Sequence, residues 1–180
     1  KLAEYGLGDR TAEINAEAVN IARRAAGKHG LVAASIGPSG KLLRPMGDVG
    51  FDDLYQGFKE QIVACDRAGA DLISIETMTD IGEMRAALIA ARQNTSLPVI
   101  AHMTYEDGGR TMMGTDPVTA VIVLEALQPL AIGANCSGGA RELLPVIEQM
   151  AGVTRLHLSV EPNAGLPRLI DGQTVFPDSP

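Results

Sequence analysis

The sequence predicts an α/β fold with a parallel sheet. Three observations carry that prediction. Five short apolar runs recur along the 180 residues, stretches with helical periodicity separate them, and most runs are apolar at successive rather than alternate positions. Continuous apolarity marks a strand covered on both faces, as in a parallel sheet flanked by helices. Alternation of helix and strand leaves two architectures open, a barrel and an open doubly wound sheet.

Each element has its own signal. A helix fits 11–27, ending at Gly27, and the first apolar run is "LVAASIG" at 31–37. In 51–69, Phe51, Leu54, Tyr55, Phe58, Ile62 and Cys65 recur at spacings of three and four, which gives a helix one buried face. The run "DLISIE" (71–76) follows. The segment 80–92 opens with Asp80 and has Glu83 three residues later, an Asp variant of the capping box. After "LPVIAHM" (97–103), the segment 116–127 opens Asp116-Pro117, a cap followed by proline at the first helical position. "LAIGAN" (130–135), a helix over 139–151 and "RLHLSV" (155–160) complete the series. The last run alternates in part and is the weakest strand. The tail "LPRLIDGQTVFPDSP" (166–180) reads as a loop. There is no internal repeat and no low-complexity tract.

Composition bounds the function. At 46% hydrophobic and 21% charged residues, the chain is an ordinary globular protein long enough for one sizeable core. Aromatics are scarce and Trp is absent, so the core must come from Ala, Ile, Leu, Val and Met. A formal charge of −7 repels phosphate backbones and argues against nucleic acid as a partner. No run approaches the roughly 18 apolar residues of a membrane span, and no basic amphipathic segment suggests a membrane surface. The N-terminal stretch "KLAEYGLGDR" lacks the apolar region of a signal peptide and an initiator Met, so the chain reads as a cut or processed piece. Two cysteines, Cys65 and Cys136, are too few for a disulfide scaffold and point to a cytoplasmic protein.

Ligand sites in these folds lie at the carboxyl ends of the strands. The tips here carry Glu76-Thr77, His102-Met103-Thr104, Asn135-Cys136-Ser137 and Glu161-Pro162-Asn163. Glu76 could hold a ligand's ammonium group; the plainer alternative is a helix cap or a surface ion pair. Cys136 has three readings: a small buried hydrophobe, a nucleophile with His102 as its only strand-tip base, or a metal ligand. Cys65 sits on a helix's apolar face and is core. His102 fits a hydrogen-bonded structural residue better than a ligand, His157 lies mid-strand, and His29 lies in a turn. The glycine-bearing segment "EDGGRTMMGTDP" (106–117) is either a lid or a solvated connection. No dinucleotide fingerprint follows the first strand and no Walker A pattern occurs.

Taken together and in order, "ARRAAG", "SIGPSGKLL", "ETMTDIGEMRAAL", "IAHMTYEDGGRTMMGTDP", "GANCSGG" and "VEPNAGLP" resemble the homocysteine S-methyltransferase family. The likeness is to the homocysteine-binding module of its cobalamin-dependent methionine synthases. It covers almost the whole chain. It implies a (β/α)8 TIM-type barrel with zinc at the carboxyl-end mouth. On that basis Cys136 matches the first of three zinc-binding cysteines and Glu76 the carboxylate that receives the homocysteine amino group. Asn163 matches a polar residue near the bound amino acid, and Thr77 and Asn135 are neighbours of the substrate. The family's Gly-Gly-Cys-Cys pair does not occur after Cys136, nor do its first two strands precede Lys1. Residues 1–180 are therefore expected to form one incomplete barrel domain, about strands three to seven of eight, truncated at both ends.

The implied reaction is methyl transfer to the homocysteine sulfur to give methionine. A free thiol with a pKa of about 8.5 is mostly protonated at neutral pH, and zinc coordination makes it a thiolate. Methylcobalamin, supplied from methyltetrahydrofolate, is the donor the resemblance favours; S-methylmethionine and betaine are alternatives. With one cysteine of three, the chain alone is expected to bind zinc weakly and to be inactive. Five strands cannot close an eight-stranded barrel. Exposed sheet edges should favour self-association or capping by other modules of a larger methionine synthase. Two other readings stay open: a binding module without catalysis, and an unrelated barrel enzyme using Glu76 and His102 for acid–base chemistry.

Overall fold

The computed structural model describes residues 1–106, 108–165 and 167–176. Two short 3-10 turns, Leu2–Tyr5 and Gly8–Arg10, lead into α1 (Thr11–Ala26). Then come β1 (Ala33–Ile36), α2 (Phe51–Arg67), β2 (Leu72–Met78), α3 (Ile81–Asn94) and β3 (Val99–Met103). The series continues with α4 (Pro117–Glu125), β4 (Ala131–Asn135), α5 (Ala140–Ala151) and β5 (His157–Glu161). A hairpin of β6 (Arg168–Ile170) and β7 (Gln173–Val175) ends the described chain.

The five strands β1 to β5 form one parallel sheet in sequence order. A doubly wound sheet reverses its strand order at a switch point; a barrel winds one way throughout. The order found here is that of a barrel segment, which settles the alternative the sequence left open. β1 and β5 are its two open edges.

Strand alternation gives the sheet two distinct faces. Ala34, Ile36, Ile73, Ile75, Val99, Ala101, Met103, Ile132 and Ala134 occupy one face and are buried with the apolar sides of the helices. From α2, the predicted stripe supplies Leu54, Phe58, Ile62 and Cys65 to this core. The other face is that of a barrel interior. Pairing puts Ser35, Ser74, Ile100, Ala131 and His157 in one layer across it. Above them lie His102, Gly133 and Ser159, and then Asn135 beside Glu161. Gly133 sits where β4 and β5 approach closely: a Cβ there would overlap the Ser159 carbonyl oxygen.

Several expectations need correction. β2 runs two residues beyond "DLISIE", so Glu76 and Thr77 lie within the strand rather than after it. Asp80 caps α3 by accepting from the Gly82 and Glu83 amides, at 2.6 and 3.4 Å. Glu83 does not complete the box. Its buried carboxylate accepts from the Ser39 amide at 2.7 Å and anchors the loop after β1. His157 opens β5 instead of sitting mid-strand. The tail read as a loop contains the β6–β7 hairpin, turned through Asp171 and Gly172, both at positive φ. Residues 166 and 177–180 of that tail, and 107 of the glycine-bearing loop, lie outside the described residues. No described helix is long and apolar enough to cross a membrane.

Candidate active site

The carboxyl ends of β2, β3 and β4 converge on one side chain, Asn135. It closes β4 and is 2% exposed. Its Oδ1 accepts from the Thr77 amide at 2.8 Å. Its Nδ2 donates to Thr77 Oγ1 at 2.9 Å and to Cys136 Sγ at 3.2 Å. Just beyond β3, Thr104 Oγ1 donates to the Asn135 carbonyl at 3.1 Å. Thr77 Oγ1 lies 3.6 Å from Cys136 Sγ. The half-buried thiol is thus gripped from two directions while part of it remains open to solvent.

The backbone that presents this thiol is held in an uncommon conformation. Thr77, Cys136 and Ser137 have φ of 62°, 60° and 63°. Positive φ is uncommon for any residue with a Cβ and a genuine outlier for a β-branched one such as Thr77. Each such position costs about 1–3 kcal/mol and persists where surrounding bonds hold it. Those bonds are visible. The Asn135 amide pins Thr77, and the Cys136 amide donates to the Glu161 carbonyl at 3.1 Å. The Asn163 amide donates to the Gly138 carbonyl at 3.0 Å, and its Nδ2 to the Ser137 carbonyl at 3.3 Å. Two consecutive left-handed residues turn the chain sharply from β4 toward α5, which begins four residues after Cys136.

Replacing Asn135 with alanine would strand the Thr77 amide without an acceptor and release its hold on two of the three strained residues, Thr77 and Cys136. The expected loss is about 1–3 kcal/mol of stability, read as a lower urea midpoint. An unchanged midpoint would mean that Asn135 is not the clamp.

Glu76 stands one residue before Thr77, at an irregularity where β2 slips against β3. Ile75 pairs with Ala101 and Met78 with Met103, so Glu76 and Thr77 together face the single residue His102. Such bulges re-aim side chains near functional sites. Among the described residues, the half-buried Glu76 carboxylate has no hydrogen bond and no ion pair. It is neither the helix cap nor the surface salt bridge that sequence reasoning kept as alternatives.

His102 departs further from expectation. It is 0% exposed, and neither ring nitrogen has a hydrogen-bond partner. Burial lowers its pKa below the usual imidazole value, while the nearby carboxylates of Glu161 and Glu76 pull it back up. A hydrogen-bonded structural histidine was the sequence expectation, and the orphaned ring contradicts it. Tyr105, the other such side chain among the described residues, has its pKa raised by burial. Cys65 is buried in the core as expected, and burial raises its pKa too.

Of the predicted site residues, Thr77, Asn135 and Cys136 form one bonded cluster, with Glu76 next to it in the chain. Asn163 is exposed and touches the Cys136 turn rather than the cluster. Thr104 was missed as a contributor; its place at the tip of β3 was the available signal. Zinc takes three or four protein ligands. Among the described residues no group of three His, Cys, Asp or Glu side chains is placed to hold a metal ion. The donor set of these residues alone does not fit a zinc centre.

One-way winding, with a thiol and an unpartnered carboxylate near the carboxyl ends of the strands, defines a barrel segment with its candidate site at the mouth. The homocysteine S-methyltransferase family model matches residues 1–180, and the chain belongs to that family. Among curated relatives, the methionine synthase of Mycobacterium tuberculosis (strain ATCC 25618 / H37Rv) is 31% identical over 179 residues, covering 93% of this chain. That of Mycobacterium leprae (strain TN) is 28% identical with the same coverage. The chain spans 15% of the length of each. The homocysteine methyltransferase MmuM from Escherichia coli is similar in fold. Its metallated form gives a TM-score of 0.78 at 24% identity, covering 91% of this chain and 62% of that one. Its apo form gives 0.75, covering 87% and 62%.

Proposed function

We propose that these residues form the amino-acid side of a homocysteine methyltransferase that makes methionine. One observation carries the reading: a thiol clamped by Asn135 and Thr77 in a strained turn, with an unpartnered carboxylate one residue before Thr77, at the open end of a barrel segment of this family. Glu76 receives the substrate ammonium through charge-assisted hydrogen bonds, which are shorter and stronger than neutral ones. Asn135 and Thr77 fix the position of the Cys136 sulfur, so the substrate sulfur meets it in one geometry. Positioning of this kind supplies much of the rate in reactions between two bound groups.

Zinc, which would supply a thiolate at neutral pH, belongs to the proposal only with ligands from outside these residues, Cys136 contributing one. Methylcobalamin, charged from methyltetrahydrofolate, is the proposed donor, with S-methylmethionine and betaine the alternatives. The open edges of β1 and β5 are paired by other polypeptide, another module or a second copy. The lone thiol favours one further reading, a module that binds homocysteine without turning it over. Binding equally tight with and without zinc, and no methyl transfer in the full natural protein, would establish that reading instead.

Glu76→Gln tests the main reading. Losing a hydrogen bond to a charged partner costs about 1.5–3 kcal/mol, so homocysteine affinity should fall about 10- to 150-fold. Calorimetric titration of the full natural protein measures it. Equal affinity in the two proteins would remove Glu76 from the substrate site.

A further inference from the structure

Thr104 stands just past the end of β3 and reaches the strands on both sides. Its amide donates to the carbonyl of Met78, the last residue of β2, at 2.8 Å. Its Oγ1 lies 3.1 Å from the Asn135 carbonyl oxygen and 3.4 Å from Asn135 Oδ1. A hydroxyl has one proton to give. Here two acceptors of one residue share it, which fixes the Asn135 side chain against its own main chain. The Thr77 amide, which can only donate, also meets Oδ1. The carboxamide oxygen must therefore face Thr77 and Thr104, and its NH2 group is left to face Thr77 Oγ1 and Cys136 Sγ. The bonded carbonyl matters as much. It belongs to the peptide group that joins Asn135 to Cys136, and the N–H of that same group is held by the Glu161 carbonyl at 3.1 Å. A peptide group is planar. The plane from which Cys136 turns, at a φ of 60°, is thus fixed at both edges.

We propose that Thr104 is a positioning residue for the Cys136 sulfur in the methyl transfer, acting through Asn135: its hydroxyl holds both the peptide plane that carries the cysteine and the carboxamide that grips the thiol. This rests on the reading that the substrate sulfur meets Cys136. Among the described residues, Thr104 bonds neither the Cys136 sulfur nor the Glu76 carboxylate. Losing its hydroxyl therefore leaves the ammonium end of the substrate in place and lets the sulfur end drift. A reacting group displaced by about 1 Å can lose about 100-fold in rate. Groups that orient a ligand from behind are worth about 10- to 100-fold.

The test is steady-state methyl transfer to homocysteine by the full natural protein, compared with Thr104→Val and Thr104→Ser. Valine keeps the shape and removes the hydroxyl; serine keeps the hydroxyl. In the valine variant kcat should fall about 10- to 100-fold with KM for homocysteine unchanged, the pattern of an interaction used in the transition state rather than in binding. The serine variant should recover most of that turnover. A urea midpoint on each protein separates positioning from support. Intact kcat in the valine variant overturns the proposal, whether only the midpoint falls or only KM rises. So does a valine variant that does not fold, or a serine variant as slow as the valine one. If Cys136→Ala abolishes turnover while Thr104→Val leaves it intact, this inference alone fails. If Cys136→Ala keeps full turnover, or the unsubstituted protein transfers no methyl group, the reading of the site fails and takes this inference with it.

Discussion

Cys136→Ala is expected to remove methyl transfer in the full natural protein while leaving it folded. The thiol is gripped by Asn135 and Thr77 but supports neither of them. Without Sγ, the Asn135 amide still bonds Thr77 Oγ1 and still accepts from the Thr77 amide. Stability should therefore change by no more than about 1 kcal/mol, the worth of one hydrogen bond. Activity should fall further than the 10- to 100-fold loss typical of groups that merely support a metal ligand, so by more than about 100-fold. Steady-state turnover together with a thermal melt checks both halves. A folded variant with intact activity would favour the acid–base alternative built on Glu76 and His102. Collapse of the fold would make the cysteine a structural residue.

Gly133→Ala should produce the largest loss of stability of any small substitution in the sheet. The added methyl meets the Ser159 carbonyl oxygen, which is backbone and cannot rotate away. Relief requires β4 and β5 to separate. Overpacking a tight interior costs about 1–3 kcal/mol and sometimes more; here the obstacle is a strand, so about 3 kcal/mol or more is expected. That is a large share of the roughly 5–15 kcal/mol that holds a domain together. The effect should reach the site. Separation of the strands strains the Asn135–Glu161 pairing and the bond from the Cys136 amide to the Glu161 carbonyl. Denaturant unfolding and homocysteine titration should both register the change. A shift below about 1 kcal/mol would mean that the two strands do not approach closely at Gly133.

The sheet was legible in the sequence because its strands are buried on their helix-facing side and written as continuous apolar runs. The helices were legible because α2 has a clean stripe from Leu54 to Cys65, and α3 and α4 have Asp80 and Asp116 as caps. Strand ends were less so. Nothing local announces that β2 continues through a charged residue and a threonine at positive φ, because Asn135, 58 residues away, holds it there. The same long-range cause hid the environment of His102: its lack of partners follows from Gly133 on the next strand and the slip in β2, neither visible near residue 102. Glu83 shows a local rule overridden by a distant partner, since its carboxylate serves Ser39 rather than the cap. The barrel-segment reading came from an ordered set of motifs, and the one-way strand order agrees with it. The β6–β7 hairpin was missed because Pro, Gly and Asp dominate that stretch, and short exposed strands leave no burial pattern.

The central claim is that one cavity offers a carboxylate to an amino group and a sulfur to a sulfur. A crystal structure of the full natural protein soaked with homocysteine tests it most directly. The account predicts the ammonium nitrogen about 2.7–2.9 Å from a Glu76 oxygen, with the ligand's sulfur on the Cys136 side of the strand tips. An amino acid seated elsewhere, or turned so that its sulfur points away from residue 136, would contradict it.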